Sequence, residues 1–454
     1  MLKRILLLIS TWDSEYAKAT IDGILERIGT EDIELHILNS YDNLMESDYF
    51  LKGREIYFLP DPDKYDGLII ALSTVESLKH VNKITTTFQE HNRPVVCIDI
   101  HSDNTIFCGL DNYRSMYQLV DHMITIHDCR IMNYLGGPED NAENMERFRA
   151  FCDCMASHGI KLEKRRVLHK RFWKTDGAEA YNEWKERGVN MADAVICAND
   201  FMALGYIEAA FRDGIAIPDY MKLTGFDNIE GAQKYSPSIT SVNRNHKQLG
   251  YEAMDALLEK LEDDLEYDTR FVEGYISYNE SCGCDLTRDI RSDYNELVKK
   301  NRKQTETISR HSYSRQILDK CKTPGDYREA LTGLKELMGT PDIAIALNRS
   351  FFDEDVDSPK EGFDDSMILF YDDGEEDIEI KEKLYPAKWK NHCRTYLFES
   401  LRNNNQTYGY TVMPYEKDFF SRDKHKVLVE NLSLSLENTK NRIVIDVLKK
   451  KTIS

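Results

Sequence analysis

The sequence predicts an α/β protein over its first 285 or so residues, built as two doubly wound parallel-sheet lobes. A helical linker and an α+β block with a long C-terminal helix are expected to follow. Three observations carry this. From Arg4 to about Gly283, short continuous apolar runs alternate with helix-length amphipathic segments, the pattern of strands covered by helices on both faces. About seven such units exceed one simple sheet, so they divide between two lobes. After Cys284 the composition turns abruptly polar, marking a domain boundary.

Taken in order, the strand candidates are ILLLIS (5–10), IELHIL (33–38), GLIIAL (67–72), VVCIDI (95–100), IMNYLG (131–136), AVICAN (194–199) and LTGF (223–226). Helical patterns such as TIDGILERI, VNKITTTFQEH and ALGYIEAAFRDG lie between them. Residues 286–320 contain no Pro or Gly and are rich in helix formers, so a connecting helix is expected there. In TPGDYREALTGLKELMG, Thr323 is placed to cap a helix, with Pro324 at its first position and Gly339 at its end. IAIALN (343–348), SMILFY (366–371) and YGYTVMPY (408–415) read as strands around the acidic loop FFDEDVDSPKEGFDD. The last segment reads as one helix from Ser421, with an apolar stripe of Val429, Leu432, Leu436, Ile443 and Val447.

The chain has 454 residues, 41% of them hydrophobic and 30% charged, which suits two or three globular domains. A net charge of −20 argues against a direct nucleic-acid partner, because binding phosphates requires Lys and Arg. The apolar run Ile5 to Ile9 is too short for a signal peptide, and no stretch reaches the ~18 apolar residues of a membrane span. The expectation is a cytoplasmic protein without a membrane partner. Several of the ten cysteines sit in apolar strand-like runs, as expected of reduced thiols. Cys282-Gly-Cys284 lacks the wider spacing and second pair of a zinc site, so structural thiols, no metal and no cofactor are expected.

Three stretches, in order, resemble the effector domain of the lactose-repressor family, whose fold is the type I periplasmic-binding-protein-like one. YLGGPEDNAENMERFRAF (134–151) matches a ligand loop in which an Arg precedes a Gly-aromatic pair; Arg147 holds that place and Ala150-Phe151 the pair. AVICANDFMALG (194–205) matches the segment presenting an Asn to ligand, here Asn199. KLTGFDNIEGAQKYSPSITSVNRNHKQLG (222–250) matches the Gly-Phe-Asp strand end, with Asp227, and the return across the hinge. VVCIDI followed by GLDN (109–112) fits too. The resemblance implies one lobe of about 4–112 plus 246–272 and another of about 113–243 plus 275–285. It also implies a ligand-clamping sensor (1–285) for a small polar molecule, a sugar, nucleoside or similar. The family's amino-terminal helix-turn-helix is not expected, because the first strand begins at about Arg4.

Strand-end loops are where open parallel sheets bind ligands, and acids, amides and Arg forks suit polar ones. The candidate ligand contacts are Thr11, Trp12, Asp13, Tyr16, Asp99, Arg147, Phe172, Trp173, Asn199, Asp227 and Arg244. Asn199 and Asp227 have an alternative reading as caps of turns or helices, and Trp12 and Trp173 as core or rim residues. Ala71, where the family offers a polar group, and Arg244, where it has a neutral one, depart from the pattern.

In the second half, TYGYTVMPYEKDFFSRDKHKVLVENLSLSLEN resembles a late strand, F-S-x-x-D turn and helix of a GAF-like domain, placed at 321–438 with a signalling helix at 439–454. The whole order looks like the input half of bacterial diguanylate cyclases. That implies a homodimeric sensor and signal relay in cyclic di-GMP signalling whose GGDEF domain lies beyond Ser454. No GGDEF, G-x-S-x-G, P-loop or HExxH motif is present, so no catalytic residue is assigned and no enzyme is expected in this chain. The alternatives are a ligand-responsive transcriptional regulator or a dimerisation scaffold, without its own DNA-binding domain.

Overall fold

The computed structural model describes residues 2–10, 15–40, 53–72, 78–262, 269–284, 305–306, 308–340, 342–352, 362–391, 394–403, 406–415 and 422–453. The chain divides into two compact units. Unit one comprises Met1–Gly109, His246–Arg270 and Val298–Ser454; unit two comprises Leu110–Asn245 and Phe271–Leu297.

The strands are β1 (Lys3–Ile9), β2 (Ile33–Asn39), β3 (Gly67–Ala71), β4 (Val95–Ile98), β5 (Ile106–Leu110), β6 (Met132–Gly136), β7 (Val167–His169), β8 (Ala194–Cys197) and β9 (Lys222–Asp227). They continue as β10 (Thr240–Asn243), β11 (Thr269–Val272), β12 (Tyr275–Ser277), β13 (Ala344–Asn348), β14 (Ser366–Tyr371), β15 (Gly374–Glu379), β16 (Thr395–Arg402) and β17 (Thr407–Pro414). The seven apolar runs of the first half all form strands, as buried parallel strands should.

Unit two holds a six-stranded sheet, ordered β12-β10-β9-β8-β6-β7. Every pair is parallel except β10 with β12. Tyr134, Ile196 and Phe226 fill its core together with Phe151, Trp184 and Tyr206 from the covering helices. Helices Lys174–Glu186 and Asp200–Arg212 cross at two glycines. A Cβ on Gly205 would lie 1.8 Å from the Lys174 carbonyl oxygen, and one on Gly177 2.0 Å from that of Met202. Unit one repeats the device: helices Glu15–Ile28 and His246–Glu262 meet at Gly23 and Gly250, whose Cβ atoms would lie 1.8 and 2.1 Å from backbone oxygens.

The sheet of unit one runs β11-β5-β4-β3-β1-β2-β16-β17-β13-β14-β15. Its parallel half ends on β2, and β16 adds to that edge in parallel, pairing His36 with Tyr396 and Asn39 with Glu399. From β16 onward the pairings are antiparallel. The C-terminal block therefore extends the first sheet. The sequence reading expected a separate domain at 321–438; it overlooked β16, TYLFESLR, whose last seven residues are all buried.

Helix Arg422–Ile453 runs unbroken through the boundary placed at 438. Val429, Leu432 and Leu436 are buried, Ile443 is half-buried and Ile445 is 48% exposed, while the side chain of Val447 lies outside the described residues. Helix Asp326–Met338 does end on left-handed Gly339. At its start the cap position falls on Gly325, with no side-chain cap bond, and not on Thr323; the Asp326 carboxylate instead ties down the preceding turn, accepting from the Lys322 and Thr323 backbone N–H groups, each at 2.7 Å. Of the expected connecting helix, residues 308–318 are helical; residues 285–304 lie outside the description, as do the loop at 353–361 and Ser421.

Candidate functional site

The carboxyl ends of β6, β8, β9 and β10 in unit two collect most of the predicted polar residues. After β6 the chain turns at Gly136-Gly137-Pro138, and Asn144 holds that turn. Its Oδ1 accepts from the Gly137 N–H at 2.7 Å, and its Nδ2 donates to the carbonyls of Gly137 and Pro138 at 3.0 and 2.9 Å. Asn141 caps the next helix, Ala142–Ser157, by accepting from the Asn144 N–H. That helix presents Glu143 and Arg147, one turn apart on the same face.

Arg147 is 2% exposed and its guanidinium is spent on protein. Nε donates to Asn112 Oδ1 at 2.8 Å, Nη1 to the Ala198 carbonyl at 2.9 Å and Nη2 to Glu143 at 3.4 Å. The group also lies 3.9 Å from the centroid of the Phe226 ring, a cation–π contact. Arg244, 8% exposed, donates to both oxygens of Glu143, at 2.6 and 3.4 Å, and approaches Asp227 Oδ1 at 3.7 Å. Burial alone would raise the Glu143 carboxyl, but the charges of Arg244 and Arg147 outweigh it and bring its pKa down to about 2. Glu143 is therefore ionised and joins both arginines.

Asn199 caps helix Asp200–Arg212, accepting from the Met202 N–H at 2.9 Å, while its Nδ2 donates to the Phe172 carbonyl at 3.0 Å. Both ends of this amide thus brace loops, which favours the capping reading. Asp200 beside it is fully buried, accepting from Ser241 Oγ at 2.7 Å and the Ile229 N–H at 2.8 Å. Its carboxyl fills the space where a Cβ on Gly225 would stand, 2.0 Å from Oδ1, which explains the glycine before Phe226-Asp227. Burial first, and the charge of Asp227 second, push the Asp200 pKa well above the carboxylate range.

Asp227 itself closes β9 with φ +100°, and Asn228 follows at +56°. Phe172, after β7, sits at φ +72°, a conformation bulky residues seldom adopt. Its ring packs where a Cβ on Gly137 would fall. Backbone held in such regions is overdetermined by its surroundings and clusters at ligand sites. Trp173, next in the chain, is 46% exposed.

Unit two thus brings together Arg147, Asn199, Asp227 and Arg244, with Phe172 joined through Asn199. Unit one holds Asp99, left-handed at φ +57° after β4, and Tyr16, whose ring lies 4.5 Å from that of His246. Thr11, Trp12 and Asp13 lie outside the described residues. Sequence reasoning missed Glu143, Asn112 and Asp200. Glu143 left a signal, standing four residues before Arg147, but Asn112 and Asp200 become meaningful only through partners 35 and 41 positions away.

The periplasmic binding protein-like domain family matches residues 120–279. Among individual relatives, the HTH-type transcriptional repressor PurR of Pasteurella multocida is 24% identical over 268 residues, covering 58% of this chain and 76% of its own. PurR of Actinobacillus pleuropneumoniae serotype 5b is 27% identical over 219 residues, covering 46% and 61%. The HTH-type transcriptional regulator AscG of Escherichia coli K12 is 27% identical over 166 residues, covering 36% and 48%. The chain thus spans between about half and three quarters of the length of these relatives. In structure it is similar to the transcription regulator CcpA of Lactococcus lactis, with TM-score 0.51 and 20% identity over 62% of this chain and 99% of that one, which supports the two-domain α/β fold.

These relatives overturn the expected function. They give no support to a relay feeding a diguanylate cyclase in cyclic di-GMP signalling: the named relatives are HTH-type transcriptional repressors and regulators, which favours the alternative reading, a transcriptional regulator. The GAF-like and GGDEF associations fall with it. They rested on a late strand, which forms as β17, on a turn at 416–421, outside the described residues, on a helix pattern that many folds share, and on the order of these segments. The exclusion of nucleic acid also loses its support, because a whole-chain charge of −20 does not report on the local surface that meets a phosphate backbone.

Proposed function

We propose that this chain is the effector-sensing part of a cytoplasmic, ligand-responsive transcriptional regulator that acts as a homodimer. Its sensor spans 1–285 and takes a small polar effector, a sugar or nucleoside, at the carboxyl ends of the unit two strands. The observation that carries this reading is Asp227, held at φ +100° and 3.7 Å from Arg244, whose guanidinium is in turn clamped by Glu143. A carboxylate and a guanidinium fixed in this way offer an acceptor and a donor to neighbouring hydroxyls of a ligand. Asn199 and Arg147 serve as positioning residues, since their polar atoms already bind protein. Phe172 and Trp173 supply apolar surface beside them.

Melting the full chain in the presence of individual sugars and nucleosides tests the proposal. One compound is expected to raise the melting temperature in a saturable way, as mass action requires. Asp227→Ala is expected to abolish that rise while the ligand-free protein still melts cooperatively within a few degrees of the parent. Failure of every compound, or a rise that survives Asp227→Ala, defeats the assignment.

A further inference from the structure

Cys282-Gly-Cys284 has a second pair after all, and it is made of histidines. His122 lies in the last turn of helix Asn112–Thr125, and His127 lies in the turn that leads towards β6. Their Nε2 atoms are 3.1 Å apart. Cys284 Sγ stands 3.2 Å from His127 Nε2 and 3.4 Å from His122 Nε2, and Cys282 Sγ is 3.9 Å from His122 Nε2. All four ligand atoms fall within 4.8 Å of one another.

We propose that these four side chains form a structural zinc site. Zinc takes thiolate sulfur at about 2.3 Å and imidazole nitrogen at about 2.0–2.1 Å in a tetrahedron, whose edges are then about 3.3–3.8 Å long. The four separations above match that tetrahedron to within a few tenths of an ångström, and the other two are no longer than 4.8 Å. Two thiolates and two neutral imidazoles are the soft, four-ligand set that selects Zn²⁺ over hard cations, and they leave no open position for substrate. Each thiol gives up its proton to solvent on binding, so the bound centre is neutral overall.

The backbone is arranged for the purpose before any metal arrives. Gly283, at φ +94°, reverses the chain so that both sulfurs reach the same pair of histidines, a conformation a side chain there would strain. Ser281, fully buried, pins the turn to the sheet by donating to the Leu223 carbonyl at 2.6 Å and accepting from the Thr240 N–H at 2.8 Å. Glu280 accepts from the Ser238 N–H at 2.7 Å. The Tyr278 ring packs 4.4 Å from that of His122. Metal at this point ties the carboxyl end of helix Asn112–Thr125 to the segment after β12. It fixes the place where the chain leaves the unit two sheet.

The site is independent of the effector reading and its test uses metal alone. The full chain, purified without chelator, is expected to carry about one zinc per chain by elemental analysis. Stripped and reloaded with Co²⁺, it is expected to show thiolate-to-cobalt charge transfer and the intense visible bands of a tetrahedral ion. Cys284→Ser and His127→Gln are expected to weaken zinc at least tenfold, and Cys152→Ser to leave it unchanged. Cys284 is exposed, so a readout on the parent protein needs no variant. Alkylation of Cys284, mapped by mass spectrometry, is expected to slow at least tenfold when zinc is added to stripped protein. Equal alkylation rates, a Co²⁺ spectrum without thiolate bands, or a Cys282–Cys284 disulfide in place of metal each overturn the proposal.

Discussion

Each compact unit buries a glutamate against arginine, and the two networks differ in what surrounds them. Glu34, 2% exposed on β2, accepts from Arg4 Nε at 2.5 Å, His36 Nε2 at 3.0 Å and the Tyr385 hydroxyl at 2.9 Å. An ionised carboxylate only accepts, so His36 donates from Nε2 and its Nδ1 accepts from the Tyr65 hydroxyl at 2.7 Å. Tyr65, Tyr385, Tyr396 and Phe398 enclose that imidazole, and burial keeps it neutral by lowering its pKa. Arg4 reaches Glu34 from β1, His36 from β2 itself and Tyr385 from the segment before β16, the strand that joins β2. Glu143, at a strand-end turn, retains a fifth of its exposure and binds two arginines, one of which leans towards strained Asp227. A network walled by aromatics holds a fold together; a network at the end of a parallel sheet, beside strained backbone, is where we propose that ligand binds.

Glu34→Ala breaks the first network and carries the largest expected effect. It strands a buried imidazole and an arginine, and breaking a buried ion pair costs roughly 3–5 kcal/mol. Chemical denaturation is expected to show that loss while any effector still binds with unchanged affinity. A loss below about 1 kcal/mol would place Glu34 with the surface ion pairs.

Acid sharpens the comparison. Burial acting alone would raise Glu34, but the His36 hydrogen bond and the Arg4 charge bring its pKa down from 4.5 to about 2. Glu143 falls over the same range. A lowered carboxyl contributes stability that is complete above its unfolded pKa and is lost as pH drops through the folded one. Denaturation free energies are therefore expected to decline between pH 4.5 and about 2, by about 2–4 kcal/mol from Glu34. Glu34→Gln should flatten that part of the curve; an unaltered acid limb would mean its charge is not linked to folding. Asp200 has the opposite sign, favouring the native state at low pH and losing that contribution as pH rises.

The smallest stability effect is expected at Glu143→Gln, about 1–2 kcal/mol, because Arg147 keeps Asn112 and Ala198, and Arg244 keeps Asp227. Its effect on effector binding should nevertheless be large, at least tenfold by calorimetry, through the loosened Arg244. If Glu34→Ala weakens binding more than Glu143→Gln does, the division of roles between the two networks is wrong.

Local pattern by itself determined the alternating units, the seven apolar strands of the first half and the strand ends at Asn199 and Asp227. These rest on period and turn chemistry, which a short window of residues contains. Arg147 is singled out by the family resemblance and not by local pattern, and neither could show that its guanidinium is already occupied, since Asn112 and Ala198 reach it only once the sheet has formed. Tertiary structure alone decided two larger matters. The C-terminal block adds to the edge of the first sheet because β16 pairs with β2, and an edge has no one-dimensional signature, its unpaired N–H and C=O groups being common to all strands. His122 and His127 meet Cys282 and Cys284 across some 160 residues. Spacing motifs register ligands that share a loop; four ligands from two distant turns become a set only when folding brings their lone pairs to one point.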